Sequence, residues 1–592
     1  MTRTRLTLFA TAVAVAAGVA AARSAAACTN FIITRGAAAD GSTMITYAAD
    51  AHNLYGELYY TPAGRHAPGA TREIIEWDTG KRLGRIPQVP VTYSVVGNMN
   101  EHQVSIGETT FGGRKEIEQS KGDIDYGTLM YVALERARTA REAIQVMTDL
   151  AVRHGYNSEG ESFSVADPRE AWILEMIGKG PTEKGVVWVA RKIPDGYVAG
   201  HANQARIRQF PRNDPQNTLY AKDVVDFARK RGWFKGKDAD FSFADTYAPL
   251  TWDALRACES RVWSMFRRVN ADARRYFDWV NGNEKAPMLP LWIKPDRKIG
   301  VHDLMELMRD HFEGTPYDLS KGVGAGPYEL PYRWRPMTYK VDGAKYINER
   351  ATSTQQTGFS FVAQMRAWLP GPIGGVLWFG VDDTYSTVYV PMYCGIREAP
   401  KAFAVGTADF KTFSWESAFW VFNFVANYTY SRYRDMIRDV RQVQGELEAG
   451  FLARQPEVEE TALKLYRQGP GLARDYLTEY SAKQSAAVLQ RWRKLGEQLI
   501  VKYLDGNVRD ESGKPTHPGY PEAWNRRIAR DSGESCKVRR LANEPPEEAP
   551  KPAVAPAGAH GTPPVKAPSQ QPQPQPPKPG QKPVAPGQPP RP

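Results

Sequence analysis

Residues 28–33 read Cys28-Thr29-Asn30-Phe31-Ile32-Ile33. The β-branched and aromatic side chains after the cysteine predict a strand. Immediately before it stands Ala25-Ala26-Ala27, the small-residue pattern at which a signal peptide is cut. Cleavage after Ala27 would make Cys28 the first residue of the mature chain, directly in front of a strand.

The N-terminal segment has the three parts of a secretory signal peptide. Arg3 and Arg5 precede an apolar run from Leu6 to Ala22, and the cleavage pattern follows. The run is rich in alanine and shorter than the ~20 strongly apolar residues that span a bilayer. We therefore expect residues 1–27 to be removed, with no stable membrane span afterwards and an exported protein, periplasmic or secreted.

The C-terminal segment 545–592 has 18 prolines in 48 residues and no aromatic residue, so we expect a disordered tail with no catalytic role. The net charge of the chain is +11, and residues 1–27 and this tail contribute +3 each. The remaining +5 is too small an excess for the body to indicate a nucleic-acid partner.

The body alternates strand-like runs with separate blocks of helix, which indicates an α+β fold rather than repeated βαβ units. A helix is predicted around Gly127 to Ala137, and the next is opened by the capping box Thr139-Ala140-Arg141-Glu142. The predicted strands are 29–34, 43–47, 56–61, 92–97, 104–110, 162–166, 171–177, 186–191, 360–364, 375–379 and 385–393.

Beyond about Ser414 the chain is predicted to be helical, over 415–447 and 456–504. One apolar stripe at helical spacing consists of Val488, Trp492, Leu495, Leu499 and Tyr503. We predict a main domain over 28–440 and a helical extension over 441–544 that packs on it.

A terminal cysteine holds a nucleophile and a base in one residue. Its α-amine has an ordinary pKa of ~7.7 to 8.0 and can accept the thiol proton without a histidine partner. Two alternatives stay open. Cys28 could be lipidated, although Ala25 stands where lipoprotein signals usually have leucine. It could also be a small buried residue.

Several motifs together resemble the C69 family of dipeptidases, N-terminal nucleophile hydrolases related more distantly to secernins, penicillin V acylase and bile salt hydrolase. The resemblance covers roughly residues 28–440. The matching segments are 28–33, 40–50, 97–102, 107–110, 161–175, 201–206, 260–261, 357–366 and 372–378.

The resemblance implies a four-layer αββα sandwich and a role for five residues. Cys28 matches the nucleophile, and Asp50 matches a carboxylate that steers the terminal amine. Asn203 matches the amide that donates to the oxyanion, with the backbone N–H near Thr110 as its partner. Arg261 matches an arginine behind the nucleophile.

Alternatives remain for two of these residues, since Asp50 could cap a turn and Arg261 could form a surface ion pair. The chain also departs from the pattern at one position. Many relatives have arginine three residues before the aspartate, where this sequence has Tyr47. A positive charge beside the thiol is therefore not assured from that strand, which puts the tuning or specificity of the site in doubt.

No metal or cofactor site is predicted. His302, Glu306 and His311 lie in a predicted helix, but a spacing of nine residues does not place the two histidines on one face as a step of four would. A Cys/His protease using His52, His102 or His201 is disfavoured because the terminal amine already supplies a base. The disulfide status of the other cysteines, Cys258, Cys394 and Cys536, is left open.

The sequence therefore predicts an exported cysteine dipeptidase that acts on a dipeptide or small amide, in an oligomeric state that stays open. One alternative is an acylase of the same fold, which would cleave fatty or aromatic N-acyl amides. The other is a non-catalytic lipoprotein anchored through Cys28.

The site of cleavage can be tested on protein purified from its native host by N-terminal sequencing and intact-mass analysis. We expect a chain that begins at Cys28 with a free amine. A diacylglycerol adduct on Cys28 would eliminate the enzyme and favour the lipoprotein.

Overall fold

The structure, a computed structural model, describes residues 28–117 and 122–543. The predicted signal peptide and proline-rich tail lie outside these residues. The chain divides into two compact units, the first ending at Trp524 and the second beginning at Asn525. Within the described ranges, no helix combines the length and apolar character needed to cross a membrane.

The strands of the described residues are numbered in chain order. They are β1 (Asn30–Ile33), β2 (Thr43–Asp50), β3 (Tyr60–Thr61), β4 (Gly64–Arg65), β5 (Thr71–Ile75), β6 (Arg82–Pro87), β7 (Val91–Thr92), β8 (Val95–Val96), β9 (Met99–Asn100), β10 (Ser105–Gly112), β11 (Gly160–Ala166), β12 (Ala171–Gly178), β13 (Val186–Lys192), β14 (Val198–His201), β15 (Thr218–Tyr220), β16 (Trp292–Ile293), β17 (Thr338–Val341), β18 (Ala344–Ile347), β19 (Thr357–Met365), β20 (Val376–Val381), β21 (Val390–Tyr393), β22 (Val508–Arg509) and β23 (Pro515–Thr516).

The α-helices are numbered in the same way. They are α1 (Tyr126–Arg136), α2 (Ala140–His154), α3 (Val224–Lys230), α4 (Phe243–Tyr247), α5 (Trp252–Ala254), α6 (Ser260–Val269), α7 (Phe277–Val280), α8 (Val301–Met308), α9 (Gly371–Gly374), α10 (Ala418–Tyr430), α11 (Tyr433–Gln468), α12 (Pro470–Lys502) and α13 (Glu522–Ser532). A π-helical turn, Leu255–Glu259, leads directly into α6.

Two antiparallel sheets form the centre of the first unit. One has the order β16-β14-β1-β2-β19-β20-β21, and the other the order β15-β13-β12-β11-β10-β9-β8-β3. They contact each other through β1 and β2 on one side and β10 and β11 on the other. Helices α1 and α2 pack on the second sheet, whereas α6, α8 and α10 contact strands of the first. The predicted α+β class is confirmed.

The two sheets approach each other most closely at Gly107 on β10. A Cβ atom at this position would lie 2.7 Å from Nδ2 of Asn30 and 3.0 Å from Cβ of Tyr47. Distances this short leave no room for a side chain. The glycine therefore lets β10 lie directly against β1 and β2, which brings its neighbour Glu108 to the start of β1.

The structure differs from the sequence predictions at several elements. The strand predicted over 56–61 is reduced to β3, and the one predicted over 92–97 is divided between β7 and β8. The strand predicted over 385–393 is shortened to β21, because Asp383 accepts the N–H of Tyr385 at 3.0 Å and holds a turn there. The sequence predicts a helix that begins at residue 456, but Pro456 lies inside α11. The break between α11 and α12 falls at Gly469, and Pro470 is the first residue of α12. Helix α8 ends at Met308, so His311 is not part of it.

The predicted apolar stripe of α12 is buried at all five positions. Its largest member, Trp492, is fully buried and stacks on Phe422 of α10 with ring centroids 4.8 Å apart. Helices α10, α11 and α12 also contact strands β20 and β21. The helical segment is thus packed against the first sheet rather than separate from it.

Replacing Trp492 by alanine should destabilise the protein by ~3 to 5 kcal/mol, the cost of a large cavity in a packed core. Urea unfolding would measure it. Lys494→Ala on the exposed face of the same helix is the control, and should change stability by less than ~0.5 kcal/mol. Equal effects of the two substitutions would contradict this packing role.

Candidate active site

Cys28 lies immediately before β1, and its side chain is buried between the two sheets. Its Sγ lies 3.4 Å from Oε1 of Glu108 and 3.8 Å from the hydroxyl of Tyr47. The thiol faces a cavity of about 250 Å³ that Asp50 and Tyr126 also line. Burial, followed by the charges of Glu108 and Asp50, raises the pKa of the thiol well above its usual value. The resting side chain is therefore a thiol and needs a base.

Arg261 begins α6 just after the π-helical turn, and its side chain is buried. All five of its N–H donors are used. Their acceptors are Ala257 O (2.7 Å), Cys28 O (2.7 Å), Thr29 Oγ1 (2.7 Å), Ala202 O (3.2 Å) and Asn203 Oδ1 (2.9 Å). Burial lowers the pKa of the guanidinium to about 10, so it stays a cation. Arg261 thus holds the two residues before β1 and the loop after β14.

Asn203 follows β14 in the left-handed backbone region, with φ +59°. Its Oδ1 accepts from Arg261, so its Nδ2 is left as the donor, and this nitrogen lies 2.8 Å from the carbonyl oxygen of Thr110. The hydroxyl of Thr110 in turn donates to Glu161 Oε1 at 2.8 Å. Cys28, Arg261, Asn203 and Thr110 are thereby linked through hydrogen bonds.

Asp50 is the last residue of β2 and is buried. Its carboxylate accepts from Arg350 Nη2 and from Thr357 Oγ1, both at 2.7 Å. Burial raises the pKa of Asp50 to about 6 although Arg350 opposes the shift, so the group is ionised at neutral pH. Its backbone N–H interacts with the sulfur of Cys28 and favours the thiolate.

Two acidic residues beside the thiol had no role assigned from the sequence. Glu108 on β10 is fully buried and accepts a hydrogen bond from Tyr47, and Glu161 on β11 lies next to it. Burial raises the pKa of Glu108 to about 7. The available signal was a glutamate inside a run of β-branched residues predicted as a buried strand, where an acid is costly.

His52, His102 and His201, the histidines considered from the sequence, do not contact the thiol of Cys28. His201 is buried, hydrogen-bonds Thr109 and Ser164, and has a pKa lowered to about 3 by burial, so it is neutral. His52 contacts Arg335, and His102 packs on Tyr93. Across residues 28–117 and 122–543, no cluster of three or more His, Cys, Asp or Glu could hold a metal ion. The four cysteines are free thiols.

A second cavity, of about 650 Å³, shares residues Ala51, Asn53, Asp78 and Tyr126 with the cavity at Cys28. Its size is within the range of about 300–1,000 Å³ that is typical of small-molecule sites. Its lining carries both charges. Three of the basic residues, Arg261, Arg335 and Arg350, come from the segments around α6 and before β19, and the fourth, Lys115, follows β10 and pairs with Glu159. The acidic residues are Glu76, Asp78, Asp125, Glu159 and Glu161, from segments around the second sheet.

Comparisons with known proteins assign the chain to a class of enzyme. The family model described as "Peptidase family C69" matches residues 67–446. The chain belongs to this family and is therefore a peptidase.

Named relatives resemble the chain at modest identity over much of their length. A "probable dipeptidase" of Salmonella dublin is 27% identical over 390 residues, covering 63% of this chain and 82% of the relative. A "probable dipeptidase B" of Streptococcus pyogenes serotype M1 is 22% identical over 492 residues, covering 80% and 93%. A "dipeptidase" of Bifidobacterium longum (strain NCC 2705) is 23% identical over 426 residues, covering 63% and 72%.

Proposed function

We propose that the protein is an exported dipeptidase that uses the thiol of Cys28 as its nucleophile. The observation that carries this proposal is the position of Cys28, which faces a cavity and is tied to Arg261 and Asn203, in a chain of peptidase family C69. The names of the relatives support a dipeptide substrate.

The fold we propose is the four-layer αββα sandwich of the N-terminal nucleophile hydrolases. It is supported by the two sheets in contact and by the helices on the second sheet and along the first. The catalytic domain is proposed to comprise residues 28–440, with 441–544 as a helical extension. Removal of residues 1–27 during export would free the α-amine of Cys28.

Hydrolysis would proceed in two steps. The α-amine takes the thiol proton, the sulfur attacks the amide carbonyl, and a C–S bond forms as the carbonyl electrons move to oxygen. The tetrahedral intermediate collapses with loss of the amine, which receives the proton. Water then attacks the thioester in the same way and releases the acid and the thiol.

Asn203 and the backbone N–H near Thr110 are proposed to stabilise the oxyanion. Arg261 supports this role because its bond to Oδ1 fixes the amide with Nδ2 as the donor. In the resting site this N–H is bound to the Thr110 carbonyl. An amide nitrogen has two N–H donors, so the oxyanion could accept from Nδ2 once it carries the charge of the intermediate.

The charges of the larger cavity favour a dipeptidase over an acylase. A dipeptide carries an ammonium group and a carboxylate, which match the acidic and basic parts of the lining. A fatty or aromatic N-acyl amide has no ammonium group to offer. Asp50 is proposed to orient the α-amine of Cys28.

The substrate class can be tested by comparing unmodified dipeptides with N-acetylated and C-amidated forms, using protein that begins at Cys28. Blocking either terminus should lower kcat/KM by about tenfold or more, because each block removes a charge-assisted contact worth ~1.5 to 3 kcal/mol. Cys28→Ala should abolish turnover. Equal cleavage of N-acylated substrates would favour the acylase, and an active Cys28→Ala variant would exclude the assigned nucleophile.

The role of Asn203 can be separated from its backbone conformation with two variants. Asn203→Gly and Asn203→Ala both remove the amide and should lower kcat by ~10²- to 10³-fold. Only alanine should lose a further ~1 to 2 kcal/mol of stability, since it adopts the left-handed region poorly. Kinetics and thermal unfolding of both variants would measure this. A fully active glycine variant would contradict the oxyanion role.

A further inference from the structure

Glu108 is the acceptor that the thiol of Cys28 contacts directly. The Sγ of Cys28 lies 3.4 Å from Oε1, and the hydroxyl of Tyr47 donates to the same oxygen. This hydroxyl also lies 3.8 Å from the sulfur. Tyr47 is therefore a neutral donor bound to a carboxylate that contacts the proposed nucleophile.

Strand register places a second carboxyl group next to Glu108. On the antiparallel pair β10–β11, Thr110 lies opposite Glu161, and Glu108 is two residues before Thr110. Glu108 and Glu161 are thus diagonal neighbours on one face of the sheet. Their Oε2 atoms are both buried and have no hydrogen-bond partner among the described residues. Each carboxyl group shifts the pKa of the other, and they could hydrogen-bond each other only with a proton on one of them.

This proton resides on Glu161. Burial, and then the charge of Glu108, raises the pKa of Glu161 well above its usual value. Glu108 receives hydrogen bonds from Tyr47, Glu161 and Cys28, which oppose the effect of burial and keep its pKa at about 7. Glu161 is consequently neutral when Glu108 ionises, and the pair carries one negative charge near neutral pH.

The side chains that surround this pair supply no counter-ion. Tyr126 of α1 and Tyr156 after α2 face it, and burial raises the pKa of both well above its usual value, so they stay neutral. The charge of Asp78 raises the pKa of Glu108, and the charge of Asp50 raises the pKa of the thiol. Among the described residues no Lys, Arg or His side chain forms an ion pair with Glu108. These side chains disfavour a thiolate and leave Glu108 as a base without a side-chain counter-ion, so that the α-amine of the mature Cys28 would be the nearest cationic group.

We propose that Glu108 is a second general base of this site, which accepts the proton of the Cys28 thiol directly, and that Tyr47 and Glu161 hold it in position. The inference rests on the proposed function, in which Cys28 is the nucleophile. The S–H bond breaks as the O–H bond to Glu108 and the C–S bond to the substrate form. Glu108 then returns the proton to the leaving amine, and repeats the cycle with water in the hydrolysis of the thioester.

The two assignments of the base, to the α-amine of Cys28 and to Glu108, predict opposite effects of Glu108→Gln on activity. If the amine is the sole base, removal of a negative charge next to the thiol lowers the thiol pKa, and activity is kept or rises. If Glu108 accepts the proton, kcat/KM for a dipeptide falls by ~10²- to 10⁴-fold, the usual contribution of a general base. We expect the fall. Activity within tenfold of the unmodified enzyme would overturn the inference.

Alkylation of Cys28 by iodoacetamide gives a readout that a merely structural role would not produce. Its pH dependence, followed by mass spectrometry of the peptide that contains Cys28, should move to lower pH in Glu108→Gln. Faster alkylation at neutral pH together with slower hydrolysis is the expected combination. Slower alkylation together with slower hydrolysis would indicate a disrupted site and count against the proposal.

Tyr47→Phe provides a second variant that keeps the ring in the core. Loss of the hydroxyl removes a hydrogen bond that lowers the pKa of Glu108, so the acid limb of the kcat/KM profile should move to higher pH. An unmoved limb would leave the α-amine as the base. Glu170→Gln, whose carboxylate pairs with Lys192 at the opposite end of the β11–β12 hairpin, is the control and should change neither profile.

Failure of this inference is distinguishable from failure of the proposed function. An inactive Cys28→Ala variant with a fully active Glu108→Gln variant rejects Glu108 alone. An active Cys28→Ala variant rejects the nucleophile and, with it, both proposals.

Discussion

The buried guanidinium of Arg261 is the interaction on which the geometry of the site depends. Its five donors bind groups of the π-helical turn before α6, of the two residues before β1 and of the loop after β14. Moving any of these elements would leave a buried charged donor without an acceptor, which is costly in a low-dielectric interior. A lysine could not replace it, since one ammonium group cannot reach acceptors in so many directions. The position of the thiol and the orientation of the Asn203 amide are therefore fixed together.

The close approach of the sheets at Gly107 explains why acids dominate the electrostatics around the thiol. It places Glu108 in the interior, where its charge is poorly solvated and no Lys, Arg or His side chain of the described residues forms an ion pair with it. An arginine at position 47 would form an ion pair with Glu108 and depress the pKa of that carboxyl. Tyrosine donates a hydrogen bond without a charge, and this leaves Glu108 titrating near neutrality.

Much of the fold could be predicted from local sequence, because long strands and amphipathic helices carry their own periodicity. The stripe from Val488 to Tyr503 and the N-cap at Thr139 are examples, and Thr139 does accept from the N–H of Glu142 at 3.2 Å. The glutamate of that capping box bonds the N–H of Arg138 instead of closing on Thr139. The strand predicted over 385–393 is shorter in the structure. The turn held by the Asp383 side chain competes there with the β-branched residues that favour a strand.

The candidate site was less accessible from the sequence. Cys28, Asp50, Asn203 and Arg261 were identified through motifs, but their mutual contacts join residues up to 233 positions apart. The pairing of Glu108 with Glu161 depends on strand register, and its energetic consequence depends on complete burial. Neither the pairing nor its energetic consequence can be recognised from a local sequence pattern. A glutamate inside a predicted strand gives only a weak indication of such a pair.

Helix α11 has a practical consequence for where this enzyme can be divided. The family match ends at residue 446, in the middle of that helix, and apolar side chains beyond this point, such as Phe451 and Val458, are buried. A chain shortened to the family boundary would cut the helix and remove all of α12, uncovering the apolar surface on β21 and α10. Such a fragment would be prone to aggregation. The smallest independently folding portion must therefore reach at least the end of α12 at Lys502.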